Sequence, residues 1–302
     1  MAGNIFTNWA TKDLAPDLIM AFNEAGKIGD DWYLRTTYNS KTVGYALQAA
    51  PTVLQSYDGA VLSDPATTES SADITPDTKP YRGQVYITQA AQDTNEVDLF
   101  KGYITDLAQV MRSKFERALV NYMLTTAAAT GQTVLFNDDS SYTATDVADA
   151  VVGAVTALDI LNAPSENRVG LLHPTYLTKL YSNAAFRSGD FISGQDNSRP
   201  FTELNIMGVK VRSGSYSFGV DDSSNTDYGD SKYKINNAGG QPNWGCIWHK
   251  QALAVNYYGM PTVKVEQLPG QEMAVISARM YVGTSSPRST CVVRLRGDAG
   301  TT

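Results

Sequence analysis

The stretch from Asn95 to Ala127 reads NEVDLFKGYITDLAQVMRSKFERALVNYMLTTA. Val97, Phe100, Ile104, Leu107, Met111, Phe115, Ala118 and Tyr122 recur at steps of three and four residues, the period that lays one apolar stripe along an α-helix. Asn95 can cap this helix, with Asp98 at the third position. At 1.5 Å per residue the helix is roughly 50 Å long, beyond most globular helices. Lys101, Arg112, Glu116 and other polar groups are expected on its opposite face. No equally long partner follows, so a single spine crossing an extended body is predicted.

Upstream, Phe6 to Lys27 predicts a short helix opened near Pro16, with Leu18, Ile19 and Phe22 on one face and Gly26 as stop. It either docks on its own body or serves as an arm on a neighbouring subunit. Two stretches then alternate at period two, Val43-Tyr45-Leu47 and Tyr81-Val85-Ile87, and can pair as one hairpin. Between them Ser56 to Pro80 carries Asp58, Asp64, Glu69, Asp73 and Asp77 among Ser, Thr and Pro. A connection this long is unusual in a compact domain. A two-stranded arm is marginal alone and should lie on something else, such as another subunit.

Downstream of the spine, a turn at Asn137 to Ser140 precedes a second helix capped by Thr143 or Thr145, with Val147, Val151, Val155 and Leu158 on one face. Asn162 to Pro164 stops it. Arg168 to Leu172 reads as a buried strand, and Pro174 to Asn183 as a third helix. Asp190 to Pro200 is a polar loop, Met207 to Arg212 a strand, and Asp221 to Gly240 a loop suited to an exposed tip. The last third predicts strands at Gly245–Trp248, Ala252–Tyr257, Val263–Gln267, Val275–Val282 and Thr290–Arg296. Strand and helices together indicate an α+β or α/β layer.

The 302 residues are 42% apolar and 18% charged, an ordinary globular composition that can bury a core. With 24 basic and 31 acidic residues the net charge is −7, which opposes grip on a nucleic-acid backbone but suits a surface that lets enclosed DNA slide. Cys246 and Cys291 are too few for a disulfide framework, as expected of a reducing cytoplasm. There is no signal-peptide pattern near Met1 and no run of about 18 apolar residues.

Chemistry finds no purchase. Cys246-x-x-His249 lacks the second ligand pair of a structural zinc. No G-x-S-x-G elbow, Walker loop or dinucleotide fingerprint occurs, and Gly214-Ser215-Tyr216-Ser217 has the wrong spacing. Asp138-Asp139 and Asp221-Asp222 read as solvated turns, and Asp221 to Asp230 lacks the order of a calcium loop. The 17 tyrosines fit extensive contact surfaces.

The order arm, long extension, spine helix, mixed layer and strand-rich return resembles the Hong Kong 97 fold of tailed-phage major capsid proteins. The C-terminal run carries the likeness furthest: His249-Lys250-Gln251-Ala252-Leu253-Ala254-Val255, Val263-Lys264-Val265-Glu266, Ile276-Ser277-Ala278-Arg279-Met280-Tyr281-Val282-Gly283 and Val292-Val293-Arg294-Leu295. Arg168-Val169-Gly170-Leu171-Leu172-His173-Pro174 is similar to the strand-then-helix step of the family's axial domain. The resemblance implies an α+β chain with an N-arm (1–42), an extended loop (43–90), a peripheral domain with its spine helix (91–142), an axial domain (143–248) and a strand-rich return (249–302).

It further implies a shell subunit forming pentamers and hexamers around a genome in the virion, assembled in the host cytoplasm. No catalytic residue, cofactor or metal comes with it. Expected partners are other copies, a separate scaffolding protein because the chain begins almost at the arm, a portal and a decoration protein. DNA would be enclosed without sequence-specific binding, and no membrane is involved. Lys79 alone stands near the loop's base, which argues against covalent crosslinking through a loop lysine. The inter-subunit candidates are Asp58, Asp64, Glu69, Asp73 and Asp77 on the loop, facing Lys101, Arg112, Lys114 and Arg117 on the spine of a neighbour. Alternatives are an encapsulin-like compartment shell and a tail-associated carbohydrate-binding module.

Overall fold

The computed structural model describes residues 18, 20, 28, 33–37, 43–47, 70–74, 80–88, 98–137, 143–183, 203–214, 231–233, 243–267 and 273–298. In chain order come strands β1 (Tyr33–Thr37), β2 (Val43–Leu47), β3 (Ser70–Ile74) and β4 (Tyr81–Thr88), then helix α1 (Asp98–Ala129). Strand β5 (Thr133–Asn137), helix α2 (Ala144–Ile160), strand β6 (Arg168–Leu172) and helix α3 (Pro174–Ser182) follow. The hairpin β7 (Glu203–Ile206) and β8 (Val209–Ser213) leads to a 3-10 turn at Ser231–Tyr233. The chain returns through β9 (Asn243–His249), β10 (Ala254–Gln267), β11 (Met273–Ser285) and β12 (Val292–Asp298).

Helix α1 is the predicted spine. It lies against β4 of a four-stranded sheet ordered β1-β10-β11-β4 and against β12 and β9 of a six-stranded sheet ordered β5-β12-β9-β6-β8-β7. One continuous core joins them, running from Ile104 and Leu107 through Phe115 and Leu119 to Trp248 and Val293. At β4 the helix comes so close that a β-carbon on Gly83 would run into the Leu107 side chain.

The polar face expected of this helix is smaller than the sequence suggests. Arg112 and Glu116 are 6% and 1% exposed, and Arg112 Nε donates to Glu116 Oε1 at 2.9 Å. A buried charge persists only when paired, and the four-residue helical spacing supplies that partner.

Helix α2 starts with a reciprocal cap: Thr143 Oγ1 accepts from Asp146 N–H at 3.3 Å, and Asp146 Oδ2 accepts from Thr143 N–H at 2.6 Å. Thr143, not Thr145, is therefore the cap. Val147, Val151, Val155 and Leu158 face the core as their spacing predicts, and every residue of β6 is buried.

Four expectations change. The two alternating stretches near the N-terminus do not pair with each other: β2 pairs antiparallel with β3, and β4 pairs antiparallel with β11. Period-two alternation reports a strand with two unlike faces and leaves its neighbour open. The strand expected from Met207 begins at Val209, because Met207 and Gly208 take φ of 50° and 79° and turn the β7–β8 hairpin. The two strands expected across 252–267 form one strand, β10, whose register shifts between Tyr258 and Thr262 around Gly259 and Pro261.

The fourth concerns the loop at 221–240, expected as an exposed tip. Its described part packs inward. Tyr233 is 2% exposed, its carbonyl accepts from Asn121 Nδ2 of α1 at 2.9 Å, and its hydroxyl lies 2.9 Å from Thr284 Oγ1 of β11. Strand β12 rejoins the six-stranded sheet between β9 and β5, while β10 and β11 belong to the other.

Candidate assembly surfaces

The two histidines, the residues most suited to acid–base work, are used structurally. His173 Nδ1 accepts from Thr175 N–H at 3.4 Å, and His249 Nδ1 accepts from Gln251 N–H at 3.2 Å, each opening a helical turn. Burial holds both below the ordinary imidazole range, and Arg288 and Arg168 push His249 further down. Cys246 and Cys291 are buried and unbridged, and burial raises the Cys246 thiol. Among the described residues no three metal-ligating side chains cluster, and no helix is long and apolar enough to cross a membrane.

The expected contact residues fall into three groups. Asp58, Asp64, Glu69 and Asp77 lie outside the described residues, as do the 221–230 loop and both paired-aspartate turns. Asp73 lies on β3 opposite Gly44, and Lys101 lies in the first turn of α1, with only their backbones described. On the spine, Lys114 and Arg117 are half-buried, whereas Arg112 is turned inward and held by Glu116. The structure thus brings Lys114 and Arg117 to one side of α1 and takes Arg112 away from it. The signal for Arg112 was its acidic partner one helical turn later.

The N-terminal segment reaches the spine at the same place. Leu18 and Ile28 are buried in the core, and the Ile28 N–H donates to Glu116 Oε1 at 3.3 Å. Of the two roles left open for this segment, docking on its own body is seen at these residues.

A cationic surface that single-strand reading misses lies on the four-stranded sheet, on the face away from α1. There Arg82 of β4 stands directly opposite Arg279 of β11, which stands opposite Thr262 of β10. The next outward row is Gln84, Ser277 and Lys264. These side chains, with Gly83 and Ala278, line a cleft of about 180 Å³. Arg279 Nε donates to Thr262 Oγ1 at 3.2 Å, and no carboxylate among the described residues pairs with Arg82, Arg279 or Lys264. Like charges directly across a strand pair are unfavourable. Apolar exposure adds to the outer surfaces: Tyr86 beside this cleft, Tyr103 and Val110 on one face of α1, and Ile160 at the end of α2.

No family model and no curated protein matches the chain. Solved structures do. The capsid of cyanophage P-SCSP1u matches with a TM-score of 0.73 and 18% identity, over 90% of this chain and 88% of that one. The mature capsid of bacteriophage PhiM1 matches at 0.68 and 11%, over 91% and 88%. A virus-like particle from Pyrococcus furiosus matches at 0.56 and 11%, over 94% and 98%. The chain therefore has the Hong Kong 97-type capsid fold, over nearly its whole length.

Proposed function

We propose that this chain is the major capsid protein of a tailed double-stranded DNA phage, a non-enzymatic subunit that assembles with copies of itself into an icosahedral shell of pentamers and hexamers. The observation that carries the reading is the likeness to phage capsid proteins along about nine-tenths of the chain. The architecture agrees with it. A rigid body is built by α1 clamping two sheets, while the β2–β3 ribbon, with five-residue strands, is too small to be stable unless it lies on a larger surface.

On this reading the extended loop of one subunit lies against the spine region of its neighbour, on the side of α1 that carries the half-buried Lys114 and Arg117. The subunit works in the virion capsid after assembly in the host cytoplasm, with a separate scaffolding protein, a portal and a decoration protein as partners. The net charge of −7 favours enclosing DNA without binding its sequence.

A second reading, a compartment shell around protein cargo, rests on the likeness to the virus-like particle from Pyrococcus furiosus over 94% of this chain and 98% of that one. Sedimentation of the expressed protein separates these from a monomeric binding module. A shell runs as a particle of many copies, and a species of 32.7 kDa at all concentrations, alone and when co-expressed with the proposed scaffolding protein, contradicts both shell readings. Nuclease-protected DNA in particles from infected cells then selects the phage capsid over the compartment.

A further inference from the structure

We infer that the cleft of Arg82, Arg279 and Lys264 is a binding site for a phosphate group, carried either by free phosphate or by a nucleic-acid backbone. The inference goes beyond the shell reading and does not depend on it, because the site is built within one subunit. The three cations, from β4, β11 and β10, line one cleft of about 180 Å³. Register forces the arrangement, since Arg82 and Arg279 are direct cross-strand partners and Lys264 lies one row on, opposite Ser277. All three are exposed, and among the described residues the Arg82 and Lys264 side chains have no hydrogen-bond or ion-pair partner. Glu266, the next residue on this face of β10, stands opposite Val275 and pairs with none of them. A sequence with 31 acids against 24 bases does not lack carboxylates, yet these cations stand open.

The facing guanidinium groups repel each other, and an anion between them reverses that cost. A carboxylate is planar and singly charged, so it fills one guanidinium fork and leaves the opposite arginine uncompensated. A phosphate group is tetrahedral, carries about −1.5 to −2 as a monoester, and turns its oxygens toward donors on all three strands. Successive phosphates of a nucleic-acid backbone likewise supply more than one charge. The uncharged lining fits such a guest. Gln84 Oε1 accepts from the Tyr86 hydroxyl at 3.5 Å, which leaves the Gln84 amide N–H groups for the anion. Thr262 Oγ1 accepts from Arg279 Nε at 3.2 Å, which leaves its own O–H to donate. Ser277, whose hydroxyl donates to the Lys264 carbonyl at 3.4 Å, forms the wall between them.

Lys264 makes binding readable. The unassembled full-length subunit is titrated with inorganic phosphate against chloride at constant ionic strength, and acetylation of each lysine by acetic anhydride is followed by mass spectrometry. Once phosphate stands about tenfold above its Kd, mass action leaves about one site in ten free, so acetylation of Lys264 should slow about tenfold. Lys210, exposed on β8 of the other sheet, should keep its rate. The melting temperature should rise by about 2–4 °C over chloride in the same titration. Both effects should vanish in Arg82→Gln/Arg279→Gln, and the thermal effect should shrink in Lys264→Gln.

A second arm replaces phosphate with a short DNA duplex. Protection of Lys264 by the duplex alone assigns the cleft to backbone phosphate, and protection by inorganic phosphate alone assigns it to the free ion; either supports the inference. Protection by neither overturns it. Equal protection by acetate also overturns it, because the cleft is then a carboxylate site, and so does protection that survives Arg82→Gln/Arg279→Gln. None of these results bears on whether the chain forms a shell.

Discussion

Arg112 and Glu116 form an ion pair of 2.9 Å inside the subunit, on the buried side of the spine helix, and the same Glu116 oxygen accepts the backbone N–H of Ile28. One carboxylate thus ties the N-terminal segment to the helix that joins the two sheets. Glu116→Ala takes the carboxylate partner from a buried guanidinium, and removing one partner of a buried pair costs about 3–5 kcal/mol. Urea unfolding of the unassembled subunit should show a loss of that size. Lys114→Glu, at a half-buried site on the same helix, should change subunit stability by less than about 1 kcal/mol.

Gly83 is required by packing. Its position on β4 leaves no space for a β-carbon beside Leu107. Gly83→Ala must displace the helix or the strand, with a cost of about 1–3 kcal/mol, and Leu107→Ala in the same chain should recover part of it. A double-mutant cycle by thermal unfolding measures the coupling; additive losses would show that the two side chains do not compete.

Much of this body can be read from its sequence, and the reasons are local. The α1 stripe, the Val147-Val151-Val155-Leu158 face and the Pro174 start each depend on residues a few positions apart. The partner of β4 does not, because β11 lies in the last third of the chain. For the same reason the facing of Arg82 and Arg279 was invisible until the register was known. Tyr233 was hidden differently: a polar loop holds one aromatic whose anchors, Asn121 and Thr284, sit on distant elements. Of the residues expected on the polar face of the spine, Arg112 proved buried, because helical periodicity cannot say how far a second layer wraps around a helix.

That anchor gives a third prediction. Tyr233→Phe removes the hydroxyl 2.9 Å from Thr284 Oγ1 in a buried setting and should cost about 1–3 kcal/mol. Hydrogen exchange should quicken at residues 231–233 while the amides of β6 stay protected.

The histidine caps set a pH dependence. His173 and His249 are held below the unfolded imidazole value of about 6.5, so the folded state favours their neutral forms. Their contribution is complete above about pH 6.5 and is lost as pH falls through the lower folded values, since the unfolded chain then binds more protons. Protonation of Nδ1 also removes the acceptor that each cap uses. Subunit stability should therefore fall between neutral and mildly acidic pH, and His249→Asn, which keeps a capping acceptor without titrating, should flatten that slope. An unchanged slope in His173→Asn/His249→Asn would assign it to the carboxylates.

The central claim is that this fold is a shell subunit, and electron cryomicroscopy of the full-length protein, purified from cells that also supply the proposed scaffolding protein, tests it most directly. The account predicts closed icosahedral particles in which pentamers and hexamers of this one chain are traced, with α1 and both sheets intact in every copy. A protein that stays monomeric under those conditions, or an open assembly in which residues 56–80 touch no neighbouring copy, would contradict it.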